Sequence, residues 1–201
     1  MSTKEQFSLP LLLKKIKADL FHATSFVVPR FLPCPVIITI HDMNHLALPQ
    51  FYSWKQKFYY KFIVIPSICS AKKILTVSNF SKNQICKYTK TKEEDIKVIY
   101  NGISVPNLSK EFIQRTKEKY QLCDTFVLGL AHNKVHKNTK NLIQATKTLD
   151  VPLVLIGDYK GDVTSKIKVI NFLEDKELFA FYRLAKLFVY PSLYEGFGLP
   201  V

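Results

Sequence analysis

Seven short runs of apolar, mostly β-branched residues, separated by stretches of helical period, limit this chain more than any other feature. The runs are 35–40 (PVIITI), 74–77 (ILTV), 97–100 (KVIY), 126–130 (FVLGL), 153–156 (LVLI), 169–172 (VINF) and 187–190 (LFVY). They are continuously apolar rather than alternating, the pattern of strands in a parallel sheet covered by helices on both faces. The segments between them carry the helical repeat. Leu142, Ala145, Thr146 and Leu149 follow Asn138 at i, i+3, i+4 and i+7, and Leu178, Phe181, Tyr182 and Ala185 follow Asp175, which suits an N-cap. Ser78 caps a helix beginning near Asn79. Strand–helix–strand alternation of this kind predicts a doubly wound α/β architecture.

The chain divides at residues 102–112. Gly102, Pro106, Asn107 and Ser109 make a turn-rich stretch between a strand and a Lys/Glu-rich helix. Two halves are expected, residues 1–105 and 106–201. All six glycines lie at or beyond position 102. A Rossmann-like half opens with a strand and a glycine turn. The first half has no such turn and its first clear strand comes only at residue 35, so it is expected to lack its own beginning.

At 47% hydrophobic residues the chain has ample material for a core and is not disordered. Cys34, Cys69, Cys86 and Cys123 form neither a CxxC pair nor a dense framework, and read as reduced thiols of a cytosolic protein. No signal peptide is visible, and every apolar run falls far short of the roughly 20 residues that cross a bilayer. The expectation is a protein that is soluble or lies on a membrane without crossing it. The net charge of +13, from 29 basic and 16 acidic residues, suits nucleic acid, acidic lipid or phosphorylated substrates, but also serves plain solubility. Residues 51–62 (FYSWKQKFYYKF) mix aromatics with lysines. They fit a core-facing helix with snorkelling lysines, the commoner use of such a stripe, an amphipathic helix on anionic lipid, or a face that stacks bases. His41 with His45, and His132 with His136, are spaced four apart, but a third ligand and a helical setting are missing. No metal site is expected.

The chemistry concentrates in residues 191–200, PSLYEGFGLP, directly after an expected strand. Two glycines let the backbone approach a ligand, amides at a following helix start suit phosphate, and the carboxylate of Glu195 can accept hydrogen bonds from sugar hydroxyls. This string resembles the donor-site signature of retaining glycosyltransferases of the GT-B fold, family-4 type (glycosyl transferases group 1). Further segments resemble the same family in the same order: FHATSF and VIITIHDM, ILTVSNFSKNQI, VIYNGIS, HKNTKNLIQA, LIGDYKG and NFLEDKELFAFYRLAKLFVYPS. The likeness runs from about residue 9 onward.

The resemblance implies a GT-B-like fold of two Rossmann-like, doubly wound parallel-sheet halves, acceptor-side first and donor-side second. It implies transfer of a hexose, with mannose a candidate, from a nucleoside-diphosphate sugar such as GDP-mannose to a saccharide or lipid-linked acceptor. Glu195 matches a glutamate that contacts the transferred sugar, and the backbone at Phe197, Gly198 and Leu199 the segment that holds sugar hydroxyls and diphosphate. Lys137 matches the lysine that neutralises the diphosphate. His41 matches a histidine facing the reacting sugar, and Leu173 and Asp175 lie where the base binds. No cofactor or metal is implied, because lysine and backbone amides serve the diphosphate. The implied setting is cytoplasmic glycan synthesis, with an anionic membrane surface at the inner face as a candidate partner. Nucleic acid is disfavoured for want of a motif.

The sequence also departs from the family. A second glutamate, expected two residues past Val201, is absent. Ala131 stands at a common glycine position, His132 and Asn133 where an arginine often assists the lysine, and the acceptor-side glycine loop is missing. Two complete halves would need roughly 300 residues. Both halves are therefore expected to be incomplete, and the chain to be a truncated form of low or no activity. The rival reading is a non-catalytic remnant or a basic binding module.

Overall fold

The structure, a computed structural model, describes residues 3–26, 28–29, 31–161 and 164–200. The chain folds into two compact units, Met1–Gly102 with Tyr194–Leu199, and Ile103–Leu193 with Pro200–Val201. Among the described residues, eight strands form two four-stranded sheets.

The first unit begins with α1 (Thr3–Lys15) and β1 (Phe21–Ala23), followed by β2 (Val36–Ile40) and the short α2 (Asn44–Ala47). A longer helical segment comes next. It starts as α3 (Trp54–Tyr59), widens into one i→i+5 turn over Tyr60–Val64, and ends as α4 (Ile65–Cys69). Ser53 and Gln56 form a capping box that fixes its start. Strand β3 (Lys73–Thr76), helix α5 (Asn79–Thr89) and strand β4 (Ile96–Val98) complete the unit. Ser78 caps α5 through the Ser81 amide, as the sequence predicts. The sheet runs β1-β2-β3-β4, every pair parallel. Its core holds Ile38, Ile40, Ile74 and Ile85 from the sheet and α5, with Val64 and Ile68 from α4 and its preceding turn.

The second unit contains α6 (Lys110–Lys119), β5 (Val127–Leu130), α7 (Thr139–Thr146), β6 (Leu153–Ile156), β7 (Ile167–Ile170), α8 (Asp175–Leu184) and β8 (Leu187–Val189). Its sheet runs β7-β6-β5-β8, again all parallel. The apolar runs explain this. Leu153–Ile156 is buried at every residue, as a central strand must be when both faces are covered. One core cluster gathers Phe126, Leu128, Val154 and Phe181, and another Val127, Leu142, Leu153 and Leu155. Successive residues of one strand thus enter different clusters on its two faces.

Several local expectations need correction. The first half does not start at residue 35: β1 lies earlier and pairs in register with β2, Phe21 opposite Val36. Three residues at a sheet edge are too few to show a period. Strand β7 covers 167–170 rather than 169–172, because it pairs with β6 from Leu153 opposite Ile167 to Ile156 opposite Ile170, and Phe172 beyond that pairing is 79% exposed. Helix α7 ends at Thr146, so Leu149 lies outside it. Asp175 is the first helical residue of α8, and its neighbour Glu174 is the N-cap, in a capping box with Glu177.

Candidate functional site

In the second unit the strand order reverses at β5, which has β6 on one side and β8 on the other. Ligands of open parallel sheets bind beyond the strand carboxyl ends at such a reversal of strand order. The loops after these two strands are laced together. Lys137 Nζ donates to the Tyr190 hydroxyl at 2.8 Å and stands 5.3 Å from that ring's centre. Asn138 Nδ2 donates to the Pro191 carbonyl at 3.1 Å, and the Leu193 amide to the His136 carbonyl at 2.8 Å. Asn138 holds φ at 60°, in the left-handed region that asparagine tolerates better than most residues, and so turns the short helical stretch Val135–Lys137 into α7. Half-buried Lys137 is thereby set at the switch point by residues on both loops.

A cleft of about 550 Å³ opens beside it, between the loop after β5 and the loop after β6. Lys134, Lys140 and Lys160 line it with His132 and Tyr159. Asn133 ties its two walls, donating to Asp158 Oδ2 at 3.2 Å and accepting from the Lys160 amide at 3.3 Å. Thr139 bonds both the amide and the carbonyl of His132. Burial holds the His132 ring below its ordinary range, and Lys134 and Lys137 push the same way against Asp158. A neutral ring among lysine heads leaves a net positive cleft suited to an anion. A second hollow, of about 240 Å³, opens near Leu153 and Ile167 at the amino ends of β6 and β7, the opposite end of the sheet.

Of the other expected site residues in this unit, Leu173 is buried in the core cluster with Phe126 and Phe181. Asp175 is exposed in the first turn of α8. Its neighbour Glu177 is buried, and takes hydrogen bonds from Lys119 at 2.6 Å, the Tyr120 hydroxyl at 2.9 Å and the Glu174 amide at 3.2 Å.

The first unit gathers the remaining candidates. His41 follows β2 at its carboxyl end with its side chain exposed. Ser81 Oγ lies 3.0 Å from the His41 carbonyl oxygen and 2.9 Å from that of Gly196, so its single proton serves both. Ser78 also donates to the Gly196 carbonyl. Tyr194 is buried, packs on Phe80 with ring centres 5.3 Å apart, and accepts from the Met43 amide at 3.3 Å. Burial pushes its hydroxyl up to about 12, so it stays protonated. The Phe197 ring lies 6.3 Å from that of Tyr100. Half-exposed Glu195 is thus flanked by Tyr194 and Gly196, both fixed, while Gly198 takes φ +82° and Leu199 is exposed.

The structure therefore brings His41 to the 194–197 segment, and Lys137 to the end of β8. Residue-by-residue reading missed Ser81, Tyr190, Tyr194 and the cleft lysines. Ser81 had a visible signal, since it stands three residues after the capping Ser78 within ILTVSNFSKNQI. Tyr190 had none beyond its place at a strand end. Among the described residues no group of three His, Cys, Asp or Glu side chains is placed to hold a metal ion, and no helix is long and apolar enough to cross a membrane.

These sheets and loops agree with comparisons to known proteins. The model of glycosyltransferase family 4 matches residues 2–105, and that of glycosyl transferases group 1 matches residues 111–201. The chain belongs to glycosyltransferase family 4. The O-antigen chain mannosyltransferase B of Escherichia coli is 30% identical over 212 residues, 94% of this chain and 55% of that protein. The O-antigen chain mannosyltransferase RfbU of Salmonella typhimurium is 31% identical over 177 residues, 81% of this chain and 47% of that protein. The serotype-specific mannosyltransferase WbdA of Escherichia coli is 33% identical over 151 residues, 63% of this chain and 18% of that protein. The chain thus spans about half the length of two of these relatives and less of the third. Among solved structures, Arabidopsis thaliana UGT89C1 complexed with quercetin aligns with a TM-score of 0.41 at 11% identity, over 77% of this chain and 40% of that one.

Proposed function

We propose that this protein transfers a hexose, with mannose the favoured sugar, from a nucleoside-diphosphate sugar to a saccharide or lipid-linked acceptor. The observation that carries this reading is Lys137, held at the switch point of a parallel sheet by its bond to Tyr190 and beside a cleft lined with lysines. A fixed ammonium there suits a diphosphate, whose developing charge it neutralises as the bond from sugar C1 to phosphate oxygen breaks. The acceptor hydroxyl oxygen forms the new bond to C1, its proton passes to the departing phosphate oxygen or to solvent, and the nucleoside diphosphate leaves. In this reading Glu195 contacts the transferred sugar and His41 faces it. The backbone at Phe197, Gly198 and Leu199 holds sugar hydroxyls and diphosphate, and Leu173 and Asp175 border the base. No metal or cofactor takes part. GDP-mannose is the favoured donor because the relatives above are named mannosyltransferases. The reaction is placed in the cytoplasm, at the inner face of the membrane.

The test is transfer of radiolabel from GDP-mannose and from UDP-sugars to membrane-extracted acceptors. Transfer from GDP-mannose is expected to be slow, in keeping with the low activity expected of this chain, and to be lost in Lys137→Ala. Equal transfer by Lys137→Ala and the parent chain would remove the assigned role of Lys137. Transfer from a UDP-sugar alone would replace the donor.

A further inference from the structure

One face of the helical segment running from α3 into α4 has no role in the core. Tyr60, Val64 and Ile68 point inward and are at most 8% exposed. Trp54, Phe58 and Phe62 point outward at 73%, 58% and 47% exposure. The i→i+5 turn lies within this segment, and the Phe58 and Phe62 rings are 4.3 Å apart. Exposed Lys55, Lys57 and Lys61 are interleaved with these rings, Lys55 Nζ lying 5.7 Å from the Trp54 ring centre and Lys61 Nζ 5.5 Å from that of Phe62. The surrounding sequence is one-sided in charge: residues 43–92 contain nine lysines and no aspartate or glutamate.

The geometry points to this face as a docking surface for an anionic lipid bilayer, with Trp54, Phe58 and Phe62 inserted at the headgroup level and the lysines contacting lipid phosphates. Aromatic rings are at home at the membrane–water boundary, and lysines on such a helix keep their charge in the headgroups while their stems lie along the apolar face. Each lysine near an anionic surface strengthens binding several-fold; Lys73, Lys82 and Lys92 pair with Asp95, Glu93 and Glu94, so the exposed Lys55, Lys57 and Lys61 beside the rings carry that gain. Charge complementarity also decides against the rival occupants. A second copy of the chain would set the same lysines against each other, and lysine is depleted in protein interfaces. Nucleic acid is disfavoured because residues 43–92 hold no arginine for phosphate or base recognition. The inference deepens the placement at the membrane proposed above and rests on it. It needs no transfer chemistry, so its failure is distinguishable from failure of the transferase reading.

Trp54 is the only tryptophan in the chain, so its fluorescence reports on this face alone. The full chain is titrated with vesicles of phosphatidylcholine, and with vesicles of equimolar phosphatidylcholine and phosphatidylglycerol. A shift of emission to shorter wavelength is expected with the second kind only, reversed by added salt. Replacing Lys55, Lys57 and Lys61 together by glutamine should weaken vesicle binding on the order of a hundredfold. Phe58→Ser with Phe62→Ser should weaken it further while lowering the melting midpoint only slightly, since about half of each ring is exposed. Four outcomes overturn the proposal: no shift with anionic vesicles, an equal shift with neutral ones, the same shift produced by a single-stranded oligonucleotide, or a shift that depends on protein concentration without vesicles.

Discussion

Gly196 lies so close to the backbone of His41 that no side chain fits between them, although the two stand near opposite ends of the sequence. A Cβ built at position 196 would run into the His41 carbonyl oxygen and come within 2.9 Å of Asp42 Cβ. Ser78 and Ser81 hold the Gly196 carbonyl from the start of α5, so the segment cannot easily move away. The glycine after Glu195 is therefore required by packing in the first unit, whatever ligand the segment meets.

Gly196→Ala should destabilise the first unit. Forcing a methyl group into a tight backbone contact costs about 1–3 kcal/mol, which lowers the melting midpoint by several degrees in a chain of this size. Gly102→Ala is the control, because a Cβ there meets nothing within 4 Å. Thermal unfolding followed by circular dichroism measures both. Equal midpoints for the two variants would show that the 194–199 segment is not held against His41.

The fold was legible where burial is two-sided. The run LVLI at 153–156 could only be a central strand, and it is buried throughout. Edges were less legible. Phe21–Ala23 shows no period, and the bounds of β7 are set by its register with β6, Ile167 opposite Leu153, a pairing no pattern in the strand itself reveals. The site followed the same division. Motif strings single out Lys137 and Glu195 as candidates, but what surrounds them is tertiary. Tyr190 reaches Lys137 from another strand, and Ser81 reaches Gly196 from α5. The aromatic–basic segment was open among three uses because its composition fits all of them. Only the split between inward Tyr60 and outward Trp54, Phe58 and Phe62 separates the faces.

Glu177 should make the second unit sensitive to acid. Burial pushes its carboxyl up, but hydrogen bonds from Lys119, Tyr120 and the Glu174 amide outweigh that and hold it below its ordinary 4.5. A carboxyl lowered in the folded state contributes stability above its unfolded value, and loses it as pH falls through the folded one. Glu177→Gln should therefore melt lower near neutral pH, by about 1–3 kcal/mol for the lost charged hydrogen bonds. Well below pH 4.5 the two proteins should converge. A gap that persists in acid would trace the loss to packing instead of charge.

His132 should report on the lysine cleft. Burial, then Lys134 and Lys137, keep its ring below the ordinary 6.5, and its Nδ1 accepts from the Lys134 amide at 3.0 Å. An anion in the cleft offsets the lysine charge and favours the protonated ring. By linkage, the anion then binds more tightly as pH falls through the ring's titration. NMR titration of the His132 ring, assigned by comparison with His132→Asn, should show a higher midpoint with pyrophosphate than without. An unchanged midpoint would place the anion elsewhere.

Lys137 and Tyr190 form one bond, yet their removal should have unequal effects. If the ammonium meets the diphosphate directly, Lys137→Ala removes a charged hydrogen bond worth about 1.5–3 kcal/mol, or roughly tenfold to a hundredfold in affinity. Lys137→Arg keeps the charge but changes the shape of the head, so it should restore binding only in part. Tyr190→Phe keeps the ring 5.3 Å from the ammonium and deletes only the hydroxyl that positions it. That change should weaken binding by about tenfold or less, because the charge that meets the ligand stays and only one of the groups positioning it is lost. Calorimetric titration of each variant with GDP gives the three numbers. Parent-like binding by Lys137→Ala would remove Lys137 from the diphosphate site. A loss in Tyr190→Phe as large as that in Lys137→Ala would show that the hydroxyl, not the ammonium, makes the decisive contact with the ligand.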